Sequence, residues 1–189
     1  LAIPLALAAG RRLLALYALD DASALLEPGL ALARQARPGS RKDVLAYLTA
    51  LERAYFYGRK LPEAIAAADE ARRLAAALGD SGTVVDAWLA SGQAKFNAED
   101  VAGALAAYGE ALAIARFAGD DARAAQALTR RGLAMSFDGR YPHACADLEA
   151  ALALADPERD RRRGLGAGRR QRHPGRAVLR PGQWGLDRG

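Results

Sequence analysis

Ala98-Glu-Asp-Val-Ala-Gly-Ala104, followed by Glu110-Ala111 and closed by Gly119-Asp120, is the stretch that decides the fold. Forty residues earlier the chain reads Gly58-Arg-Lys-Leu-Pro-Glu-Ala64, then Glu70-Ala71, then Gly79-Asp80. Forty residues later Ala144, Ala150 and Ala151 lead to Asp156-Pro157. Counting back one further period brings in Ala24 and Ala31, so Ala24, Ala64, Ala104 and Ala144 fall in register, as do Ala31, Ala71, Ala111 and Ala151. Gly92 and Gly132 are also 40 apart. Alanine makes up 47 of the 189 residues, so an Ala match alone is cheap; the joint match of Gly, Gly-Asp and Glu-Ala is not. A fixed period of this length marks a repeat architecture.

Each period holds two helical patterns. Val101, Ala104, Leu105, Tyr108, Leu112 and Ala115 follow the i, i+3, i+4, i+7 rule, and Leu61, Ala64, Ile65, Ala68, Ala75 and Leu78 repeat it. Partner helices carry Val44, Leu45, Leu48 and Leu51, then Val84, Val85, Trp88 and Leu89. Ser40 suits a helix cap, Pro62 a first turn, Gly79 and Gly119 the left-handed position after a helix, and Asp80 and Asp120 the next cap. The spacing predicts eight helices, at about 4–18, 21–36, 41–57, 61–78, 82–97, 100–118, 121–136 and 140–155. Pro28 lies inside the second and should kink or split it.

These repeats resemble the tetratricopeptide repeat (TPR), in its 40-residue form known from bacterial signalling and regulatory proteins. Trp88, Gly92, Ala104, Tyr108 and Ala111 fit the family's spacing of large, Gly, Ala, aromatic and Ala positions. Leu128, Gly132, Ala144, Leu148 and Ala151 fit it again; Leu48, Leu51, Tyr55, Ala64 and Ala71 fit it with Glu52 in the Gly place. The first copy has Arg12 there. Ala113-Ile-Ala-Arg116 with Gly119-Asp120 matches a phrase of the longer variant. The resemblance covers about residues 4–156. It implies an all-α, right-handed superhelical solenoid of about four helix-turn-helix repeats, in which stacked hairpins bury what one hairpin cannot.

Residues 1–156 form this repeat domain, and 157–189 a tail of different character. Residues 158–189 contain ten Arg, seven Gly and two Pro, with Glu158, Asp160 and Asp187 as the only acids, and no apolar periodicity. The composition predicts disorder and a tail dispensable for folding. It also holds the chain's basic charge, +7 against −2 for residues 1–157, so the repeats carry no nucleic-acid-binding field. Nucleic acid is expected only as a weak partner of the Arg-rich tail. One cysteine, Cys145, excludes an intrachain disulfide and fits a reducing, cytoplasmic compartment. Leu1 to Ala9 is too short to span a bilayer and lacks a basic flank, so no membrane association is expected. Apolar Leu1, Ile3 and Leu5 at an uncapped solenoid end suggest a piece of a longer protein.

Catalytic and metal-ligating constellations are sparse. His143 and Cys145 lie two apart on a helix and face different directions. Gly164-Leu-Gly-Ala-Gly168 lacks the strand and helix of a phosphate loop. The pairs Asp20-Asp21, Asp69-Glu70, Glu99-Asp100 and Asp120-Asp121 mostly mark helix starts, where the macrodipole favours negative charge. No enzyme, cofactor or metal is expected. The TPR resemblance instead implies a concave groove lined by the first helix of each repeat. Counted by forty, one row of that face is Tyr17, Tyr57, Asn97 and Phe137. Phe56 and Phe96 run beside it, then Arg53 and Gln93, with Thr49, Asp86, Gln126 and Thr129 close by. Aromatics, Arg and amides suit a bound protein segment or peptide. The carboxylate clamp of chaperone-binding TPRs is unmatched, since only Arg53 stands where Lys, Arg and Asn are needed together. The implied function is a non-enzymatic protein or peptide scaffold; the alternative is a sensor region of a larger bacterial transcription activator or signalling ATPase.

Overall fold

The computed structural model of the chain describes residues 2–36 and 41–155; Ser40 and the tail from residue 156 lie outside them. Eight helices follow one another: α1 (Ala2–Ala15), α2 (Leu19–Gln35), α3 (Arg41–Tyr57), α4 (Leu61–Ala77), α5 (Ser81–Asn97), α6 (Val101–Phe117), α7 (Asp121–Phe137) and α8 (Tyr141–Ala155). No strand occurs among the described residues. Each helix packs on the next. The odd helices α1, α3, α5 and α7 also touch their odd neighbours, which puts them on the inner side of the stack. The chain is thus an all-α repeat solenoid. Pro28 does not split α2, which runs through it with Pro28 exposed.

One device closes six of the seven connections. A residue in the left-handed region, at Tyr17, Arg59, Gly79, Glu99, Gly119 and Gly139, ends the helix. The next amide then reaches back five residues, as from Asp80 N to Ala75 O at 3.0 Å and from Asp120 N to Ala115 O at 2.9 Å. Where that next residue is Asp, its carboxylate starts the following helix. Asp80, Asp100 and Asp120 accept from the amides of Thr83, Gly103 and Arg123 at 3.0, 2.8 and 3.0 Å.

The seventh connection breaks the count of forty. Between α2 and α3 the chain spends residues 36–40, five where every other connection has three. Before that point the repeat offset is therefore 42, as the left-handed residues Tyr17 and Arg59 show; after it, the offset from Arg59 to Glu99 to Gly139 is 40. The first repeat's small residues are accordingly Gly10, Ala22 and Gly29, all buried, whereas Arg12, Ala24 and Ala31 are exposed.

Small-against-large pairs lock three of the four hairpins. A Cβ on Gly10 would run into Leu26, one on Gly92 into the Tyr108 ring, and one on Gly132 into Leu148. In the second repeat the sizes are exchanged: Glu52 holds the small place on α3 and Ala68 the large place on α4. Tyr108 is buried, while Trp88 is half-buried with the Arg72 guanidinium 4.4 Å over its ring.

Candidate binding groove

The inner faces of the odd helices form a groove because residues three or four apart on a helix share a face. At its N-terminal part, Arg11, Leu14 and Ala15 of α1 meet Thr49, Ala50, Arg53 and Tyr57 of α3 around a cavity of about 410 Å³. The middle part, about 480 Å³, lies between Arg53, Phe56 and Tyr57 of α3, Asp86 and Gln93 of α5, and Gln126 and Arg130 of α7. Gln126 and Thr129 continue into an apolar section of about 550 Å³ against Leu148 and Leu152 of α8. A further branch of about 710 Å³ opens between α3, α4 and α5, where Ala68 and Ala71 leave space beside Glu52.

The expected groove residues fall into three groups. Thr49, Arg53, Phe56, Tyr57, Asp86, Gln93, Gln126 and Thr129 line these cavities. Phe96, Asn97 and Phe137 line none of the four sections; Phe96 packs edge-on against the exposed Phe137 with ring centres 5.2 Å apart. Tyr17 is a correction. It sits in the turn after α1 with φ of 58°, not on the helix, and Ala15 takes the place equivalent to Tyr57. Tyr17 still reaches the edge of the groove, its ring 5.8 Å from that of Tyr57. Phe56 meets Tyr57 edge-on at 5.3 Å, so the aromatic stripe is two clusters rather than one row.

Several polar groups here are already engaged. Asp86 accepts a fork from Arg123, Nε to Oδ1 at 2.7 Å and Nη2 to Oδ2 at 2.9 Å, and the same guanidinium holds Asp120 at 2.7 Å. These two carboxylates hold the Arg123 guanidinium more firmly protonated than usual. Gln93 Nε2 donates to Asn97 Oδ1 at 3.3 Å. The hydroxyls of Thr49 and Thr129 donate to carbonyls in their own helices. Arg11 and Arg53 have no hydrogen-bond or ion-pair partner among the described residues.

Arg11, Glu52 and Arg130 belong to the groove without having been singled out for it. With the offset of 42, Arg11 is the equivalent of Arg53, so two guanidinium groups occupy the same position in adjacent repeats. Burial pushes the Glu52 carboxyl up to about 7 against the opposing pull of Arg53 and Arg130. Its sequence signal is the acid standing in a Gly place. Among the described residues, no group of three or more His, Cys, Asp or Glu side chains could hold a metal ion, and no helix is long and apolar enough to cross a membrane.

No family model matches the chain, and no curated protein matches it. Solved structures do. BtubC (BKLC) from P. vanneervenii superposes with a TM-score of 0.56 at 21% identity, covering 90% of this chain and 65% of that one. A kinesin light chain of nearly identical TPR-like repeats from Podosopora anserina aligns at 0.48 and 14% identity, over 82% of this chain and 95% of that one. At such identities the likeness with BtubC is one of fold, and it agrees with the architecture above: a solenoid of stacked helical hairpins.

Proposed function

We propose that the chain is a non-enzymatic scaffold that holds a protein segment or peptide in the groove of α1, α3, α5 and α7. One observation carries this reading: Arg53 and Tyr57, both exposed, line the groove, and Arg53 has no hydrogen-bond or ion-pair partner among the described residues. Side chains of this kind are common binding anchors. The scaffold belongs in the cytoplasm, where the exposed thiol of Cys145 stays reduced.

The test is selection of a random peptide library on the full-length chain, followed by affinity measurement on Tyr57→Ala and Arg53→Ala. Each truncation is expected to weaken a selected peptide by about 2 kcal/mol while leaving stability within about 0.5 kcal/mol. Peptides that bind both variants as well as the wild type would place recognition elsewhere.

A further inference from the structure

The groove is not electrically uniform. Asp86 is neutralised by Arg123, and Asp80 is spent on the amide and hydroxyl of Thr83, at 3.0 and 2.6 Å. Of the cations around the same space, Arg11, Lys42 and Arg53 have no hydrogen-bond or ion-pair partner among the described residues, and Arg130 gives one N–H to the Leu89 carbonyl at 3.3 Å. Among the described carboxyls that line it, Glu52 is the one without a hydrogen-bond or ion-pair partner.

Its position is unusual for a reason of packing. In the other hairpins a glycine faces Leu26, Tyr108 or Leu148; here the large residue is absent and Ala68 faces Glu52. The carboxyl therefore lies in the wall of an open branch of the groove. Around that branch are Arg11 from α1, Lys42 and Arg53 from α3, Asp80 and Asp86 at the start of α5, and only apolar residues from α4. Arg130 acts on it from α7.

We propose that the α1–α3 part of the groove is a subsite for side-chain carboxylates of an acidic peptide, held by Arg11 and Arg53 and tuned by Glu52. The proposal deepens the scaffold reading and rests on it. Packed helices lie about 10 Å apart. A polyproline-II segment rises about 3.1 Å per residue with three residues per turn, so three residues span about that distance and return the side chain to the same face. Two acids three residues apart would thus meet the two guanidinium groups in turn. With its carboxyl raised to about 7, Glu52 is neutral in mild acid and opposes the ligand once ionised. Binding is strongest below neutral pH.

The experiment uses the full-length chain and a fluorescent nine-residue peptide, acetylated and amidated, with Glu at two positions three apart in a Ser/Ala background. Gln and Lys versions are its controls. The Glu peptide should bind at least threefold tighter at pH 6 than at pH 8. Glu52→Gln should bind tightly at both, and Arg11→Ala or Arg53→Ala should weaken binding tenfold or more. The Arg-rich tail, His143 and His173 are common to all these proteins, so their effects cancel in the comparison. Equal binding of the Gln peptide, an unchanged affinity in Arg53→Ala, or a pH response that survives Glu52→Gln would overturn the proposal. Library peptides that need Tyr57 but carry no acids would defeat this inference and leave the scaffold standing; a groove that retains no peptide at all defeats both.

Discussion

A Cβ placed on Gly92 would lie 2.6 Å from Cε1 of Tyr108 and 2.8 Å from its Cδ1. Tyr108 is fully buried, so its ring has no room to withdraw. Gly92→Ala is expected to cost about 1–3 kcal/mol in denaturant unfolding, the usual penalty of an overpacked core. At Gly132 the nearest atom is Leu148 Cγ at 3.0 Å, so Gly132→Ala should cost less. Adding Tyr108→Leu to Gly92→Ala should recover part of the loss. Equal stability of Gly92→Ala and wild type would mean the hairpin is looser than this contact requires.

The Glu52 carboxyl links stability to pH. Its folded value of about 7 lies above the ordinary 4.5, and burial is the main cause. The stability it contributes is full below about 4.5 and is lost as pH rises through 7. Glu52→Gln removes that titration. The variant should therefore gain on the wild type between pH 5 and 8, by up to about 3 kcal/mol at roughly 1.4 kcal/mol per pKa unit. Parallel melting temperatures across that range would show that Glu52 is not held as described.

Arg131 and Asp147 fasten α7 to α8. The fork runs from Nε to Oδ2 at 2.6 Å and from Nη2 to Oδ1 at 2.8 Å, with the two side chains 25% and 12% exposed. Arg131→Ala strands a largely buried carboxylate and should cost about 2 kcal/mol, with faster amide exchange in α8. Removing both partners should cost less than the sum of the two single changes.

The left-handed turn positions offer a paired test. A side chain in that region costs about 1 kcal/mol, a cost glycine avoids. Glu99→Gly, at φ of 64°, should raise stability by about 0.5 kcal/mol, and Gly119→Ala, at φ of 67°, should lower it by about 1 kcal/mol. Thermal unfolding of both variants decides it; a loss in Glu99→Gly would show that the Glu side chain contributes to the turn.

The repeats from α3 onward were legible because several chemically different signals coincide there: Gly79 and Gly119, Asp80 and Asp120, Gly92 and Gly132. The first repeat offered only Ala24 and Ala31, and alanine is too common in this chain to expose a wrong register. In the groove, Arg53, Tyr57 and Gln93 could be named because the TPR resemblance implies which helix lines it and helical spacing then sets their face. Arg11 was missed through the offset. Glu52 was noticed as an exception in a packing position, but its place in the groove depends on Ala68 across the hairpin, a pairing that only the folded chain displays. Asp86 gives the converse case: its helix face was readable, its capture by Arg123 was not.

The two additional residues between α2 and α3 also bear on protein engineering. Two residues turn a helix by about 200°. Averaging these repeats at a constant interval would blend the inner face of one helix with the outer face of another, and a consensus built that way would bury polar groups. A graft of the α3 surface onto α1 has to subtract 42, so that Arg53 lands on Arg11 and Tyr57 on Ala15.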